Sequence, residues 1–276
     1  MGLTSLRGKK MRLAVLMCVY NGDCPVNFAK AVNSMKSDVH EIRIYLHIDG
    51  NISQELEKKI SELRIYKTIK SDSNVGLAAG LNKLIATLEN ERYIFRMDSD
   101  DVSKGNRIDE QVCFMESNKG IDVSGGYIEE FIGNESNTIY IRKYPLVNSH
   151  IQKIMFTSSP LAHVTACFRG NFFDNFGPYP TDYPLNEDIA LWTSSSRKGA
   201  TFGNIDRVLV KVRMDGAYDR RTTKKAIPEF KVYLKHCISN RKLPIKIFAR
   251  LAFRFFPVFL TKKIYVSEIR RVLTDE

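Results

Sequence analysis

The sequence predicts an α/β protein: a mostly parallel sheet with flanking helices, followed by a basic amphipathic helical segment. Three observations predict it. Strand-like and helix-like runs alternate through the first 130 residues. The strand-like runs stop at turn or acidic motifs, Tyr20-Asn21-Gly22, Asp49-Gly50 and Asp98-Ser99-Asp100-Asp101. The net charge of +11 is concentrated: residues 1–219 hold 27 Lys and Arg against 27 Asp and Glu, and residues 220–276 hold 15 against 4.

The elements follow in order. Residues 1–10 read as a loose leader. Leu13–Tyr20 is a short apolar run closed by Asn-Gly, a buried first strand. It has no small-residue cleavage site, so it does not read as a signal peptide. Pro25–Met35 has helical spacing. Glu41–Ile48, rich in Ile, Tyr and Leu, is a second strand. Ser53 caps a helix over 54–63, with Glu55 and Glu57 in its first turn. Arg64–Ile69 is a third strand, Leu77–Asn90 a helix, Tyr93–Met97 a fourth strand and Lys104–Asn118 a helix. Residues 125–215 are less regular and read as a β-rich region. From about 225 the pattern is helical and basic. The expected organisation is a domain over 11–219, with halves at about 11–125 and 126–219, and a C-terminal region over 220–276.

Composition excludes several classes. No stretch reaches the roughly 20 apolar residues that span a bilayer. The five cysteines are scattered without a CxxC pair, which argues against a disulfide framework or zinc site and for a reducing cytoplasm. The neutral body argues against nucleic acid as the partner of the basic tail.

Four clusters carry chemistry. In Asp98-Ser99-Asp100-Asp101, strand alternation lets positions 98 and 100 face one way. Paired carboxylates suit Mg²⁺ or Mn²⁺ shared with phosphate oxygens; a solvated acidic turn is the plainer alternative. In Asn74-Val75-Gly76-Leu77-Ala78-Ala79-Gly80-Leu81-Asn82, small residues at a helix start admit a diphosphate, or equally a helix packed closely on the sheet. Glu187-Asp188 offers a general base, with Trp192 as a wall for a sugar ring, or merely an acidic helix start. Lys242, Lys246, Arg250 and Arg254 recur every four residues among Ile245, Phe248, Phe253 and other apolar residues. That is the pattern of a membrane-surface helix over 241–260, or of a helix packed on the domain.

Together these segments resemble bacterial family 2 inverting glycosyltransferases of the GT-A fold, the kind that build O-antigen and exopolysaccharide units. The matching segments are Val19-Tyr20-Asn21-Gly22, His47-Ile48-Asp49-Gly50, 74–82, Arg96–Asp101 with Arg107 and Gln111, and Asn186–Trp192, in the family's order. The resemblance implies that Tyr20, Asn21 and Asp49 hold nucleobase and ribose. It implies that Asn74 and Gly76 line the nucleotide site, with Arg96 beside it. Asp100 becomes the metal ligand, with Asp98 as helper at ribose or metal, and Asp188 the catalytic base. Glu187, Trp192, His163 and Arg213 are weaker acceptor-side candidates. The Tyr-Arg-x-His motif of many relatives is here Val212-Arg213-Met214-Asp215, so any role of that His does not carry over. The implied reaction moves a sugar, by default from a UDP-sugar, to a glycan acceptor. The implied acceptor is undecaprenyl-diphosphate-linked, at the cytoplasmic face of the inner membrane.

Two other readings use fewer of these features. A Mg²⁺-dependent phosphatase would place its acidic motif after the first strand rather than the fourth. A nucleic-acid-binding protein would explain the tail alone.

Overall fold

The computed structural model describes residues 10–215 and 223–254. Strands β1 (Arg12–Val19), β2 (Glu41–Asp49), β3 (Lys67–Ser71) and β4 (Tyr93–Arg96) alternate with helices α1 (Pro25–Ser34), α2 (Gln54–Ser61) and α3 (Leu77–Ile85). The chain continues through β5 (Val102–Ser103), α4 (Arg107–Ser117), β6 (Val123–Phe131), β7 (Thr138–Arg142), α5 (Asn148–Ile154), β8 (Cys167–Arg169) and α6 (Phe172–Phe176). It ends with α7 (Glu187–Arg197), β9 (Phe202–Arg213), α8 (Thr223–Ser239) and α9 (Ile245–Arg254).

One sheet organises the molecule, in the order β3-β2-β1-β4-β8-β6-β9-β5, with β7 paired to β6. The half β3-β2-β1-β4 is entirely parallel. Beyond β4 the pairing is mixed: β8 runs antiparallel to β4 and β6, while β6 and β9 are parallel over a long register. Alternate residues of β1 serve opposite faces. Leu13, Val15, Met17 and Val19 join a core with Phe28, Leu56, Ile108 and Met115. Ala14 and Leu16 join another with Leu81, Leu84, Phe168 and Trp192. Helices therefore cover both faces of a sheet whose first strand is an apolar run.

Ser53 caps α2 as expected, its hydroxyl accepting the Leu56 N–H at 3.2 Å. Two boundaries differ from the sequence reading. The third strand starts at Lys67 rather than Arg64, because Leu63 and Ile65 close a turn (Ile65 N–H to the Leu63 carbonyl, 3.0 Å) and pack on the core. Helix α3 stops at Ile85 rather than Asn90: the Thr87 hydroxyl donates to the Leu84 carbonyl, and Asn90 adopts φ of 63°. Of the basic helix, the described part starts at Ile245. The side chains of Arg250 and Arg254, and residues 255–260, lie outside the described residues. No helix among the described residues is long and apolar enough to cross a membrane.

Candidate active site

Parallel register brings the carboxyl ends of β1, β2, β3 and β4 to one edge of the sheet. The chain leaves β1 for β2 and β3 on one side and returns to the other side for β4. The crevice outside β1 and β4 is thus a topological switch point, where ligands bind in open α/β sheets.

The turn after β1 is held by Asp23, a residue the sequence reading missed. Its Oδ2 accepts the Tyr20 N–H at 2.8 Å and its Oδ1 accepts the Ser99 hydroxyl at 2.8 Å. Burial pushes the Asp23 carboxyl up and the charge of Asp98 adds to this, while the two hydrogen bonds act against it. The available signal was a carboxylate shortly after Asn21-Gly22, positioned to close its own turn. A Cβ on Gly22 would lie 2.5 Å from the Tyr20 ring, so glycine lets that exposed ring fold back over the turn.

The turn after β2 is held by Asp49, which accepts the Val75 and Gly76 N–H groups at 2.7 and 3.0 Å. Both carboxylate oxygens are therefore engaged by the chain's own loop, which places Asn74 and Gly76 beside Asp49. Gly76, which precedes α3, and Gly80 within it divide between the two readings of that segment. Gly76 has φ of +83° and open space where its Cβ would be. A Cβ on Gly80 would sit 2.4 Å from His47 Nδ1, so Gly80 serves close packing of α3 on the sheet.

The acidic turn follows β4. The strand ends at Arg96, so strand alternation does not arrange the carboxylates; their partners do. Asp98, half-exposed, pairs with the Arg96 guanidinium, and Ser99 turns to Asp23. Asp100 is half-buried. Asp101 is buried, accepts the Arg213 N–H at 2.8 Å, and is pushed well toward its neutral form by burial and by Asp98 and Asp100. Arg96 is itself buried, which opposes its charge, yet the charges of Asp98 and, further off, Glu187 hold it protonated. Below it lies Arg107, also buried. Its guanidinium donates to the Arg96 and Val164 carbonyls at 3.0 and 2.8 Å and to Gln111 at 2.9 Å. Burial pushes Arg107 down to about 9, so it remains a cation tying β4 to the 163–165 turn. Arg107 and Gln111 are thus structural members of the motif.

Helix α7 begins with Glu187 and Asp188, both half-buried, and their charges act on Tyr179. Leu185, just before them, takes φ of 62°, a left-handed conformation that is costly for leucine. His163 and Tyr179 pack beneath, His163 Nε2 lying 2.8 Å from the Tyr179 hydroxyl. Burial, with Arg96 nearby, holds His163 well below the usual imidazole range and therefore neutral. Asn82 fixes Tyr179 by two 2.9 Å bonds to its backbone. Trp192 is a correction: it is fully buried, stacked on Phe168 at 5.8 Å and edge-on to His163 and Phe202, so it cannot offer a wall to a sugar. Arg213, expected on the acceptor side, lies against the acidic turn. Its Nε donates to the Asp100 carbonyl at 3.3 Å, its Nη1 donates to the Gly133 carbonyl and pairs with Asp215, each at 2.9 Å, and its guanidinium covers the Phe131 ring.

The donor set on this turn fits a hard divalent cation: oxygen ligands, partly accessible, on consecutive residues. Among the described residues no group of three or more His, Cys, Asp and Glu is arranged to hold a metal ion. An ion on Asp100 and Asp98 would complete its shell with ligand oxygens, as Mg²⁺ does at phosphate sites.

Residues 14–177 match the model of the glycosyl transferase family 2 domain. Over 272 residues the chain is 32% identical to a UDP-Gal:α-D-GlcNAc-diphosphoundecaprenol β-1,3-galactosyltransferase of Escherichia coli, covering 95% of this chain and 98% of that one. It is 28% identical over 206 residues to an amylovoran biosynthesis glycosyltransferase of Erwinia amylovora, covering 72% and 75%. Among solved structures it resembles residues 1–349 of S. aureus TarS in complex with UDP-GlcNAc. There the TM-score is 0.61 and the identity 17%, with 94% of this chain and 74% of that one covered. It also resembles a mannosyltransferase of Pyrobaculum calidifontis in complex with GDP-Man and Mn²⁺, with TM-score 0.61 and 12% identity, covering 89% and 70%. The structural likenesses show the GT-A fold.

Proposed function

The chain belongs to glycosyl transferase family 2, and from that premise we propose that it moves a hexose from a UDP-sugar to a lipid-diphosphate-linked glycan, with inversion at the anomeric carbon. What supports this reading is that the turns after β1, β2 and β4 lie at one switch-point crevice, with Asp23 tying the first to the last, and that the charge of Glu187 at the start of α7 acts on Arg96. The E. coli relative supports the donor and acceptor classes, since its name gives UDP-Gal and GlcNAc-diphosphoundecaprenol. In this reading the 11–125 half carries the donor and the 126–219 half the acceptor.

Tyr20 and Asn21 receive the base, and Asp49 does so indirectly, by holding the Val75 and Gly76 N–H groups and so the loop that carries Asn74. Gly76, without a Cβ, lets the diphosphate approach the N–H groups that open α3. Asp100, with Asp98 beside it, would hold Mg²⁺ or Mn²⁺, which when bound supplies Lewis-acid neutralisation of the leaving diphosphate. Arg96 pairs with Asp98 and orients it. Asp188 takes the proton from the acceptor hydroxyl as that oxygen attacks the face opposite the diphosphate. Glu187, adjacent, and neutral His163 beneath shape the acceptor side. Residues 241–260 would rest on the cytoplasmic face of the inner membrane, where the acceptor resides.

The test is UDP release from a panel of UDP-sugars with Mn²⁺ and an undecaprenyl-diphosphate-sugar acceptor. Wild type is expected to turn over one donor preferentially. Asp188→Asn is expected to keep donor binding and lose turnover by about 100-fold or more. Wild-type turnover in that variant removes Asp188 as the base.

A further inference from the structure

Helices α8 and α9 are joined by a short ordered turn. The Lys242 N–H reaches the Cys237 carbonyl at 2.9 Å and the Arg241 N–H the Ile238 carbonyl at 3.0 Å. These are the two bonds of a Schellman cap. Its left-handed position, usually glycine, is Arg241, with φ of 53°. Four large apolar side chains project around this turn into solvent: Ile238 is 65% exposed, Leu243 83%, Ile245 70% and Phe248 54%. Ile245 and Phe248 are three residues apart and share a side of α9. Arg241, Lys242 and Lys246 are exposed among them.

The other side of the helix pair is not free. Ile247 of α9 and Val232, Tyr233 and Cys237 of α8 form one buried cluster with Ile189 and Ala190. Those last two residues directly follow Asp188 in α7. The Phe156 ring lies tilted against His236 at 4.5 Å, adding a further contact to the same seat. The described part of α9 therefore has features of both readings of the sequence: Ile247 packs on the domain, Ile245 faces outward, and Phe248 leans one edge on Phe230 at 5.1 Å while more than half of it stays exposed.

We propose that the α8–α9 turn, through Ile238, Leu243, Ile245 and Phe248 ringed by Arg241, Lys242 and Lys246, inserts into an anionic lipid bilayer and, through its seat on α7, holds Asp188 over lipid-borne acceptors. An apolar tip with flanking cations is the chemistry that an anionic membrane interface accepts, with the cations meeting the headgroups. The basic excess of residues 220–276 gives the matching long-range attraction. The proposal rests on the lipid-linked-acceptor reading for its purpose, and on the exposed turn for its location.

The test uses the full chain and two variants. Leu243→Glu/Ile245→Glu removes the apolar tip. Arg241→Gly removes a cation while relaxing the left-handed backbone, so any loss it shows is not a loss of fold. In co-sedimentation with vesicles of phosphatidylcholine and phosphatidylglycerol, wild type binds, and binds far less to phosphatidylcholine alone. The double variant is expected to lose binding by about tenfold or more. Arg241→Gly is expected to lose about fivefold. Both variants should keep wild-type turnover on a short water-soluble acceptor and lose it on a vesicle-borne one. Wild-type vesicle binding by the double variant overturns the proposal. So does a monomeric double variant derived from a self-associating wild type that ignores vesicles, because the occupant would then be a second copy. If wild type transfers sugar to neither acceptor yet still binds anionic vesicles through this turn, it is the lipid-linked-acceptor reading that fails.

Discussion

Asp23 joins two turns that lie 76 positions apart in sequence, because one oxygen holds Tyr20 and the other holds Ser99. In the proposed reaction those turns receive opposite ends of the donor, the base at Tyr20 and the diphosphate near Asp98 and Asp100. Asp23 is therefore a positioning residue that sets the span between them. Asp23→Ala should raise the KM for the donor by about tenfold or more, the worth of a charge-assisted hydrogen bond, with a much smaller change in kcat. Ser99→Ala should shift KM in the same direction by about fivefold. Steady-state kinetics over donor concentration separates this from a structural role, which would lower the active fraction and leave KM alone. Arg96 acts comparably on Asp98, but it is buried and charged, and its loss would leave Asp98 without the cation that orients it.

Elements place these residues through glycines that serve unlike ends. Gly170, after β8, has no space: an added Cβ would lie 2.2 Å from the Glu91 carbonyl, which belongs to the backbone and cannot turn aside. Gly80 on α3 would press a Cβ onto His47. Gly170→Ala and Gly80→Ala should each cost about 1–3 kcal/mol, read as a lowered midpoint in urea unfolding. Gly76→Ala meets nothing and should cost only the left-handed backbone, about 1–2 kcal/mol, while weakening UDP binding more than its stability loss explains. The parallel half of the fold was legible because its strands are apolar runs ended by turn residues, and parallel register then forces their ends together. That logic puts the turns at Tyr20, Asp49 and Asp98 on one sheet edge, where the parallel register has them. For Asp23 a local pattern reports at most the closing of its own turn, and its second bond, to Ser99 after the neighbouring strand β4, has no local signature. Trp192 was misplaced because its sequence position, one turn past Asp188, sets a distance along the helix but not which side of α7 faces the core. The mixed half stayed illegible because β6, β8 and β9 pair by contacts far apart in sequence, with bulges near Gly126 and Tyr127.

For the molecule as a whole, acid acts through buried imidazoles. Burial, with the charge of Arg197 adding, lowers His236 from 6.5 to about 4. His47 is lowered by burial too, and His163 is lowered by burial and by Arg96. Each is neutral when folded and takes up a proton more readily when unfolded. Their contribution is present above pH 6.5 and is lost as pH falls toward the folded value, at up to about 1.4 kcal/mol per pH unit for each group. His236→Phe should match wild type in thermal midpoint at pH 7 and lose less between pH 6.5 and 4, as measured by calorimetry. The acidic turn carries a different consequence, one of assembly order. Asp101 takes its hydrogen bond from Arg213, 112 positions later, and β5 finds its partner in the same late strand. Contacts of such separation close after local ones, so during synthesis the β1-β2-β3-β4 layer gains its form first. Pulse-labelling hydrogen exchange should find β1 and β2 amides protected before those of 101–103; simultaneous protection would refute it. A nascent chain would then carry a formed nucleotide crevice with an unfinished acidic turn, and would gain competence for transfer only once β9 has emerged.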